Sequence, residues 1–152
     1  MRFYVAITDF DWFTYLSAQA PDEVNFWQPS GRNQFRAIQP GEPLLFKLHA
    51  PRNYIVGGGF FSHFSLAPLG LAWEAFGTKN GAQSFAEMRE RVWRYRHGEQ
   101  PGELEEIIGC ILLQQPFFFP EPDWIPVSDW AQGDSPRKDI RHCGRARCRD
   151  LE

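Results

Sequence analysis

The sequence has little of what marks membrane, secreted or disulfide-stabilised proteins. Only three cysteines occur among its 152 residues, and this odd number excludes a disulfide framework. No apolar run approaches the roughly 18 residues that a membrane span requires. The first ten residues, MRFYVAITDF, lack the long apolar stretch of a signal peptide. We therefore expect a cytoplasmic protein that does not enter a membrane.

Positive charge is also scarce over most of the chain. Residues 1–130 carry ten Lys or Arg against fifteen Asp or Glu, whereas residues 131–152 carry six against four. The body is therefore acidic and the tail basic. An acidic body excludes indiscriminate binding to a phosphate backbone, although it is compatible with a local basic groove.

Catalytic and cofactor motifs are missing as well. The glycines at 57–59 match neither a P-loop nor a dinucleotide fingerprint. No Ser-His-Asp or Cys-His arrangement can be argued from the sequence. The tail residues His142, Cys143 and Cys148 supply only three zinc ligands at an irregular spacing. We expect no cofactor, no metal and no catalytic residue in this chain.

Aromatic residues, by contrast, are abundant. They make up 16% of the chain, with 14 Phe and 6 Trp, and the hydrophobic fraction is 43%. A chain of this length and composition is one globular domain with a sizeable core. Large rings fill such a core, and they also form stacking platforms for ligands.

Hydrophobic patterning predicts a small number of alternating elements. Apolar runs predict strands at residues 2–7, 44–49, 54–61 and 107–115. A first helix is predicted after Thr8, with Asp11 at the capping-box position, and a second over 71–76. A third is predicted over 84–97, where Ser84 and Glu87 form a capping box. This order indicates a small mixed α+β domain around a curved sheet or open barrel.

Other segments carry turn or loop signals. We expect a loop at 24–32, a single helical turn at 33–38, a hairpin turn at 50–53 and irregular structure around the helix within 62–83. Three consecutive glycines inside the strand 54–61 predict a bulge, a barrel corner or close approach of another backbone.

Six segments together resemble a known family, the N-terminal module of bacterial HNH-type restriction endonucleases. They are DWF at 11–13, VNFWQPSG at 24–31, PGEPLLFKLHAPRNYIVGGGFF at 40–61, LAWEAFGTKNGA at 71–82, GCILLQQPFFFP at 109–120 and DWIPV at 123–127. This module belongs with the PUA-like domains, which include EVE, YTH, ASCH and SRA modules.

The resemblance implies a fold and a partner. The expected fold is a small PUA-like curved β-barrel with flanking helices, and the expected partner is double-stranded DNA. Residues 1–130 would form a domain that binds a modified, flipped base, with modified cytosine favoured. In the full-length family a separate HNH domain, a hydrolase, cuts the DNA. This chain lacks such a domain, so it is not expected to be an enzyme by itself.

The tail departs from the family. Related proteins continue after residue 132 with a segment like IVxGKTYDT, whereas this chain reads GDSPRKDIRHCGRARCRDLE. The genetic code allows a set of codons for residues 134–142 that encodes IVPGKTYD when the reading frame is shifted by one base. We therefore expect residues 131–152 to be an atypical basic tail, read out of frame from about residue 133 in a truncated gene.

The segment around Trp27 is the leading candidate for base recognition, because the resemblance implies an aromatic pocket there. Trp27 would stack on a base, Asn25 and Ser30 would read its edge, and Arg32 would contact a phosphate. In the alternative, the neighbouring rings only close one end of the barrel.

Two further segments supply candidates for the same pocket. Trp73 and Asn80 would form a second wall, and Trp12 would border the cleft from the first helix. Each has a structural alternative, since a tryptophan on a short helix is more often part of the core and Asn-Gly is an ordinary turn dipeptide.

Basic residues could hold the phosphate backbone. Lys47 and Arg52 are the candidates beside Arg32, with a solvated strand face as the alternative for Lys47. Strand alternation places Leu45, Lys47 and His49 on one face. Arg91 and Arg94 of helix 84–97 are expected to pair with Glu87 and Glu90, four residues earlier, rather than to bind DNA.

The leading hypothesis is therefore a DNA-binding module that reads a modified base. One alternative is a small nucleic-acid-processing enzyme that uses His49, His63 or Glu74. The other is a degenerate product of a truncated gene, whose unpaired sheet edge would favour aggregation or pairing with another chain.

Overall fold

A computed structural model of the chain describes residues 2–31, 34–97 and 106–127. Within these ranges three helices and six strands follow one another, and a 3₁₀ turn at Gly77–Asn80 separates the second and third helices. The elements are β1 (Tyr4–Thr8), α1 (Phe10–Gln19), β2 (Glu23–Gln28), β3 (Pro43–Leu48), β4 (Tyr54–Pro68), α2 (Leu69–Phe76), α3 (Phe85–His97), β5 (Ile107–Phe118) and β6 (Ile125–Pro126).

The strands form one mixed sheet in the order β1-β3-β4-β5-β2, with β6 added beside the start of β4. β1 and β3 are parallel, and the other pairs are antiparallel. β1 and β2 are the two ends of this order, so the sheet is open over the residues that the structure describes. The predicted mixed α+β class, with a sheet flanked by helices, is confirmed.

The segment expected to be a loop at 24–32 contains strand β2. It pairs with β5 in an antiparallel register that places Trp27 opposite Cys110. Val24 and Phe26 enter one part of the core while Trp27 enters another. Both faces of β2 are thus covered, and the polar-apolar alternation that would have identified a half-exposed strand is absent.

Two strands are longer than predicted. β4 continues beyond Phe61 to Pro68, with register shifts that let it follow β5 as both bend. β5 continues beyond Pro116 to Phe118. Gln115, at φ 49°, lies in a left-handed conformation, so the strand is irregular next to the proline. A proline has no N–H to donate, and it is tolerated at such an irregularity.

The predicted start of α1 is wrong by one residue. The residue at the cap is Asp9, whose side chain makes no capping hydrogen bond. The Thr8 hydroxyl instead donates to Ala6 O at 3.0 Å. Residues 34–38 contain no helical turn, so that prediction is wrong over its described part.

The start of α3 is close to the predicted capping box. Ser84 Oγ accepts a hydrogen bond from the Glu87 N–H at 3.2 Å. The Glu87 carboxylate accepts from the N–H of Gln83, one residue before the cap, rather than from Ser84. Two N–H groups at the helix start are satisfied in this way.

The principal core lies between the sheet and α1, where aromatic rings meet edge to face. Trp12 packs at 5.2 Å from Phe26 and 5.1 Å from Phe46, measured between ring centroids. Leu44, Phe46 and Leu48 enter this core from β3, as strand alternation predicts. These contacts fix α1, β2 and β3 relative to one another.

The glycines at 57–59 allow two strands to approach closely, as predicted. A Cβ on Gly58 would lie 2.5 Å from Leu44 O, and a Cβ on Gly59 would lie 2.8 Å from Leu113 Cβ. The β3–β4 and β4–β5 pairings therefore depend on the absence of side chains there.

Replacing Gly58→Ala should lower the free energy of unfolding by about 1–3 kcal/mol, because the new methyl group meets backbone that cannot rotate away. Urea denaturation measures the change. The control Ser62→Ala, further along β4, should stay within about 0.5 kcal/mol. Equal stability of both variants would show that β3 and β4 separate at little cost.

Candidate functional site

Four of the predicted base-binding residues meet at one point, although they come from three distant segments. Asn80 O accepts a hydrogen bond from Trp12 Nε1 at 3.0 Å and another from Trp27 Nε1 at 2.9 Å. Asn25 Nδ2 donates to Asn80 Oδ1 at 2.9 Å. We call these four residues, Trp12, Asn25, Trp27 and Asn80, the Asn80 cluster.

Local structure explains why Asn80 occupies this position. It ends the 3₁₀ turn, and Gly81 follows at φ 83°, a left-handed conformation that favours glycine. A Cβ on Gly81 would lie 2.0 Å from Trp12 Cδ1. Asn80 Nδ2 donates to Ala72 O at 3.2 Å and Gly77 O at 2.9 Å, so its amide ties the turn to α2.

A lysine holds the same turn against β2 from outside. Lys79 Nζ lies 2.9 Å from Asp22 Oδ1 and 3.7 Å from Glu23 Oε1. The hydrogen bond between them raises the pKa of Lys79 and lowers that of Asp22. Asp22 is well exposed and Lys79 is partly exposed, so the pair positions the turn more than it stabilises the fold.

The Asn80 cluster is buried. The exposed fraction is 5% for Trp12, 8% for Trp27 and zero for both asparagines. The indole rings pack into two neighbouring parts of the core, which is the structural alternative considered for each. Their assignment to base binding stays a prediction, to be judged by binding.

A partly exposed polar group lies beside the cluster, next to Trp27. The Tyr95 ring stands edge-on to the Trp27 ring at 6.3 Å between centroids. The Tyr95 hydroxyl donates to Asp9 Oδ2, and His49 Nε2 lies 2.9 Å from Asp9 Oδ1. Asp9 thus joins the start of α1 to the end of β3 and to α3.

A cation and a ring continue this surface. The Arg52 guanidinium lies over the Phe10 ring, 3.9 Å from its centroid, and both side chains are exposed. Such a stacked pair holds the guanidinium in place while its outer N–H groups stay accessible. We call Asp9, Phe10, His49, Arg52 and Tyr95 together the Asp9 surface.

Two other predicted residues, Trp73 and Ser30, do not belong to the Asp9 surface. The Trp73 ring packs with the Phe85 ring at 6.2 Å between centroids, and both pack against the core cluster that contains Trp27. Ser30 is half-buried just after β2. Arg32 lies outside the described residues, as does the tail from residue 131.

Lys47 occupies a buried position rather than a solvated strand face. Its exposed fraction is 9%, and Nζ donates to Asn53 Oδ1 at 3.1 Å. Leu45, which shares its face of β3, packs against Phe3 and Val5, so this face is covered. The expectation of a solvated face is wrong, and the hydrogen bond to Asn53 satisfies the buried charge in part.

The arginines of α3 pair as the sequence predicts. Arg91 bonds to Glu87 and also donates to Gly81 O at 2.7 Å, which links α3 to the turn beside Asn80. Arg94 pairs with Glu90 at 3.3 Å. These bonds confirm the interpretation of helix-stabilising pairs.

Sequence reasoning missed the Asp9 surface as a unit. The sequence patterns singled out neither Asp9 nor Tyr95 as a functional residue. No short motif links residues 9, 49 and 95, because the strand order and the position of α3 bring them together. The aspartate before α1 makes no capping hydrogen bond, and only the structure shows that its carboxylate is engaged elsewhere.

The described residues lack two further structural features. No helix there is long and apolar enough to cross a membrane. No group of three or more His, Cys, Asp or Glu side chains in that part of the chain is arranged to hold a metal ion. The cysteine and histidine residues of the tail lie outside it.

Comparisons with known proteins find similarity among solved structures at low sequence identity. No protein-family model and no curated protein matches it. Among solved structures, the ASCH protein from Zymomonas mobilis has a TM-score of 0.49 and 11% identity, covering 76% of this chain and 70% of that chain. A tyrosine-to-phenylalanine variant of that protein has a TM-score of 0.49 and 10% identity, and the match covers 78% of this chain and 76% of the variant. Both of these structures are named as ASCH proteins.

Replacing Asn80→Ala should lower the free energy of unfolding by at least about 2 kcal/mol, because it leaves the Asn25 amide and two buried carbonyl groups without partners. Chemical denaturation gives the value. The exposed amide of Gln83 provides the control, and Gln83→Ala should change stability by no more than about 0.5 kcal/mol. A similar value for both would mean that water readily replaces the Asn80 side chain.

Stability should fall in alkali through Tyr95. Burial raises the pKa of the Tyr95 phenol, and the hydrogen bond to Asp9 raises it further. The folded state therefore holds this proton more tightly than the unfolded state does. The resulting stabilisation is complete below about pH 10, the pKa of an ordinary tyrosine, and is lost as the pH rises through the folded pKa.

Absorbance titration at alkaline pH measures this proton directly. The difference between wild type and Tyr95→Phe should show the Tyr95 phenol ionising later than an ordinary tyrosine. The variant should also lose less stability above pH 10. Titration of Tyr95 at the ordinary pKa would contradict its bond to Asp9 in solution.

Proposed function

We propose that the chain is a DNA-binding module that reads a modified, flipped base in double-stranded DNA, with modified cytosine as the base. The observation that carries the proposal is the convergence of two indoles and two amides in the Asn80 cluster, beside the exposed cation and rings of the Asp9 surface. Recognition of an extruded base requires both stacking and hydrogen bonds to its edge.

Trp27 is the stacking platform in this proposal. Its Nε1 is held by Asn80 O, so the plane of the ring is fixed before any ligand arrives. Tyr95, whose exposed fraction is 52%, is the ring beside Trp27 that meets solvent. A base that stacks on Trp27 displaces Tyr95 and takes over its contact.

The energetic balance of this exchange is narrow. Stacking on an aromatic side chain contributes roughly 1–3 kcal/mol per base, while extrusion of a base from a duplex costs a few kcal/mol. Hydrogen bonds to the base edge and contacts to phosphate must supply the remainder. Binding is thus selective for bases that gain additional contacts.

Arg52 supplies the phosphate contact nearest to this platform. Its guanidinium is stacked on Phe10 and presents its remaining donors to solvent, a geometry suited to phosphate oxygens. Arg32 is a second candidate. Lys47 is less suited, because its ammonium is buried and bonded to Asn53.

The wider role follows from the resemblance noted in the sequence. In the family that the sequence resembles, the module recognises modified DNA and a separate HNH domain cuts it, as in modification-dependent restriction. We infer that this chain supplies recognition, and that cleavage requires a second domain.

One observation favours a second candidate, a nucleic-acid-processing enzyme. Asp9 Oδ1 holds His49 Nε2, which orients the imidazole and leaves Nδ1 available as a general base. More than half of the His49 side chain is exposed. Incubation of the protein with DNA and RNA, with and without divalent metal, tests this candidate, which requires a product that His49→Ala abolishes.

The test of the main proposal is a titration with matched duplexes that contain cytosine, 5-methylcytosine or 5-hydroxymethylcytosine. We expect at least one modified duplex to bind about tenfold more tightly than the unmodified one, which corresponds to about 1.4 kcal/mol. Trp27→Ala should remove this preference, with retained fold verified by circular dichroism. Equal, salt-sensitive affinity for all three duplexes would contradict base reading.

The phosphate contact is tested with two arginine variants. Arg52→Ala should weaken binding to every duplex by the same factor and lower the salt dependence by about one phosphate contact. Arg36→Ala removes the same charge from an exposed position outside the Asp9 surface and serves as the control. Equal effects of both variants would show that only net charge matters.

A further inference from the structure

We infer that Asn25 Oδ1 is the acceptor that determines which base is read, by binding the exocyclic amine of a cytosine-type base. The inference rests on the proposed function and names the chemistry of its specificity. It is carried by the hydrogen bonds of the Asn80 cluster, which leave this one buried oxygen without a partner.

The orientation of the two amides follows from their neighbours. Asn80 faces two carbonyl oxygens, Ala72 O and Gly77 O, and only an NH₂ group can donate to both. Its Oδ1 must then point toward Asn25, which must present Nδ2 in return. The Asn25 oxygen is therefore directed away from Asn80, and neither amide can be reversed without placing acceptors against acceptors.

The strong donors of the cluster are already engaged. Both indole N–H groups bond to Asn80 O, and the Asn80 amide serves the two carbonyl groups. Asn25 itself has no exposed surface, so bulk water does not reach its oxygen. A buried acceptor with no partner is unfavourable, and it gains most when a ligand brings a donor.

The Cys110 thiol also contacts the Asn25 side chain. Burial raises the pKa of this thiol, and a hydrogen bond from the Asn25 side chain partly offsets the rise. A neutral thiol is only a weak donor. Cys110 therefore does not substitute for an N–H group at Asn25 Oδ1.

The geometry of β2 relates this oxygen to the stacking platform. Asn25 and Trp27 are two residues apart on one strand, so their side chains share a face. A base stacked against Trp27 thus directs one edge toward Asn25. Cytosine carries an amine donor at its 4-position, whereas thymine carries an oxygen there, and that oxygen would meet the acceptor unfavourably.

The experiment compares 5-methylcytosine with thymine, two bases that share the 5-methyl group. Each is placed opposite an abasic site in the same duplex, so neither loses a base pair on extrusion, and a third duplex carries cytosine. Binding of the wild-type protein is measured by titration. We expect 5-methylcytosine to bind at least tenfold more tightly than both thymine and cytosine.

The outcomes separate the inference from the proposed function. If 5-methylcytosine and thymine bind equally and both exceed cytosine, the protein reads the methyl group and the role of Asn25 is overturned. If the three bind equally or not at all, base reading fails and the inference fails with it. Tighter binding of thymine than of 5-methylcytosine overturns the inference alone.

A variant pair tests the residue itself. Asn25→Ala should reduce the ratio between 5-methylcytosine and thymine to about one, while Gln114→Ala, an exposed amide on the adjacent strand β5, should keep the wild-type ratio. Thermal unfolding of each variant verifies the fold. If Asn25→Ala does not fold, the wild-type comparison of the three bases decides. A folded Asn25→Ala that keeps the full ratio overturns the inference.

Discussion

The arrangement of the domain depends on one buried asparagine. Asn80 accepts from two indoles and one amide and donates to two carbonyl groups, so every polar atom of its side chain and its carbonyl oxygen are engaged. Through these bonds a single residue fixes α1, β2 and α2 around the 3₁₀ turn. A network of this kind specifies one arrangement, because each partial alternative leaves a polar group buried without a partner.

Close packing around that network explains the other unusual features. Gly81 leaves the space that the Trp12 ring occupies. The glycines at 57–59 let β4 lie against its neighbours, and the Trp12, Phe26 and Phe46 rings fill the interior behind them. The aromatic residues of the described segments thus serve mainly to fill the core, and two exposed rings, Phe10 and Tyr95, lie beside Asp9.

The same features shape the proposed binding mechanism. The Asn80 cluster is preorganised, but it is buried, and the half-exposed Tyr95 ring lies beside it. Binding then requires displacement of one surface ring, while the deeper indoles and amides stay in place. Such an arrangement favours selectivity over affinity, because the ligand must compensate for the contacts it breaks. The acidic charge of residues 1–130 acts in the same direction by weakening nonspecific association with DNA.

Much of this molecule follows from local sequence patterns. The mixed class, strands β1, β3 and β5, helix α3 and its ion pairs, and the close approach at the glycines all depend on neighbours in sequence, so periodicity and capping signals predict them. β2 does not follow from such patterns, because it is covered on both faces and its polar Asn25 is paired across the fold. Lys47 is similar, since its burial on β3 depends on the strands that lie beside it. Tertiary structure alone brings residues 9, 49 and 95 together and leaves Asn25 Oδ1 unpartnered, because hydrogen bonds between distant segments are set by topology rather than by spacing along the chain.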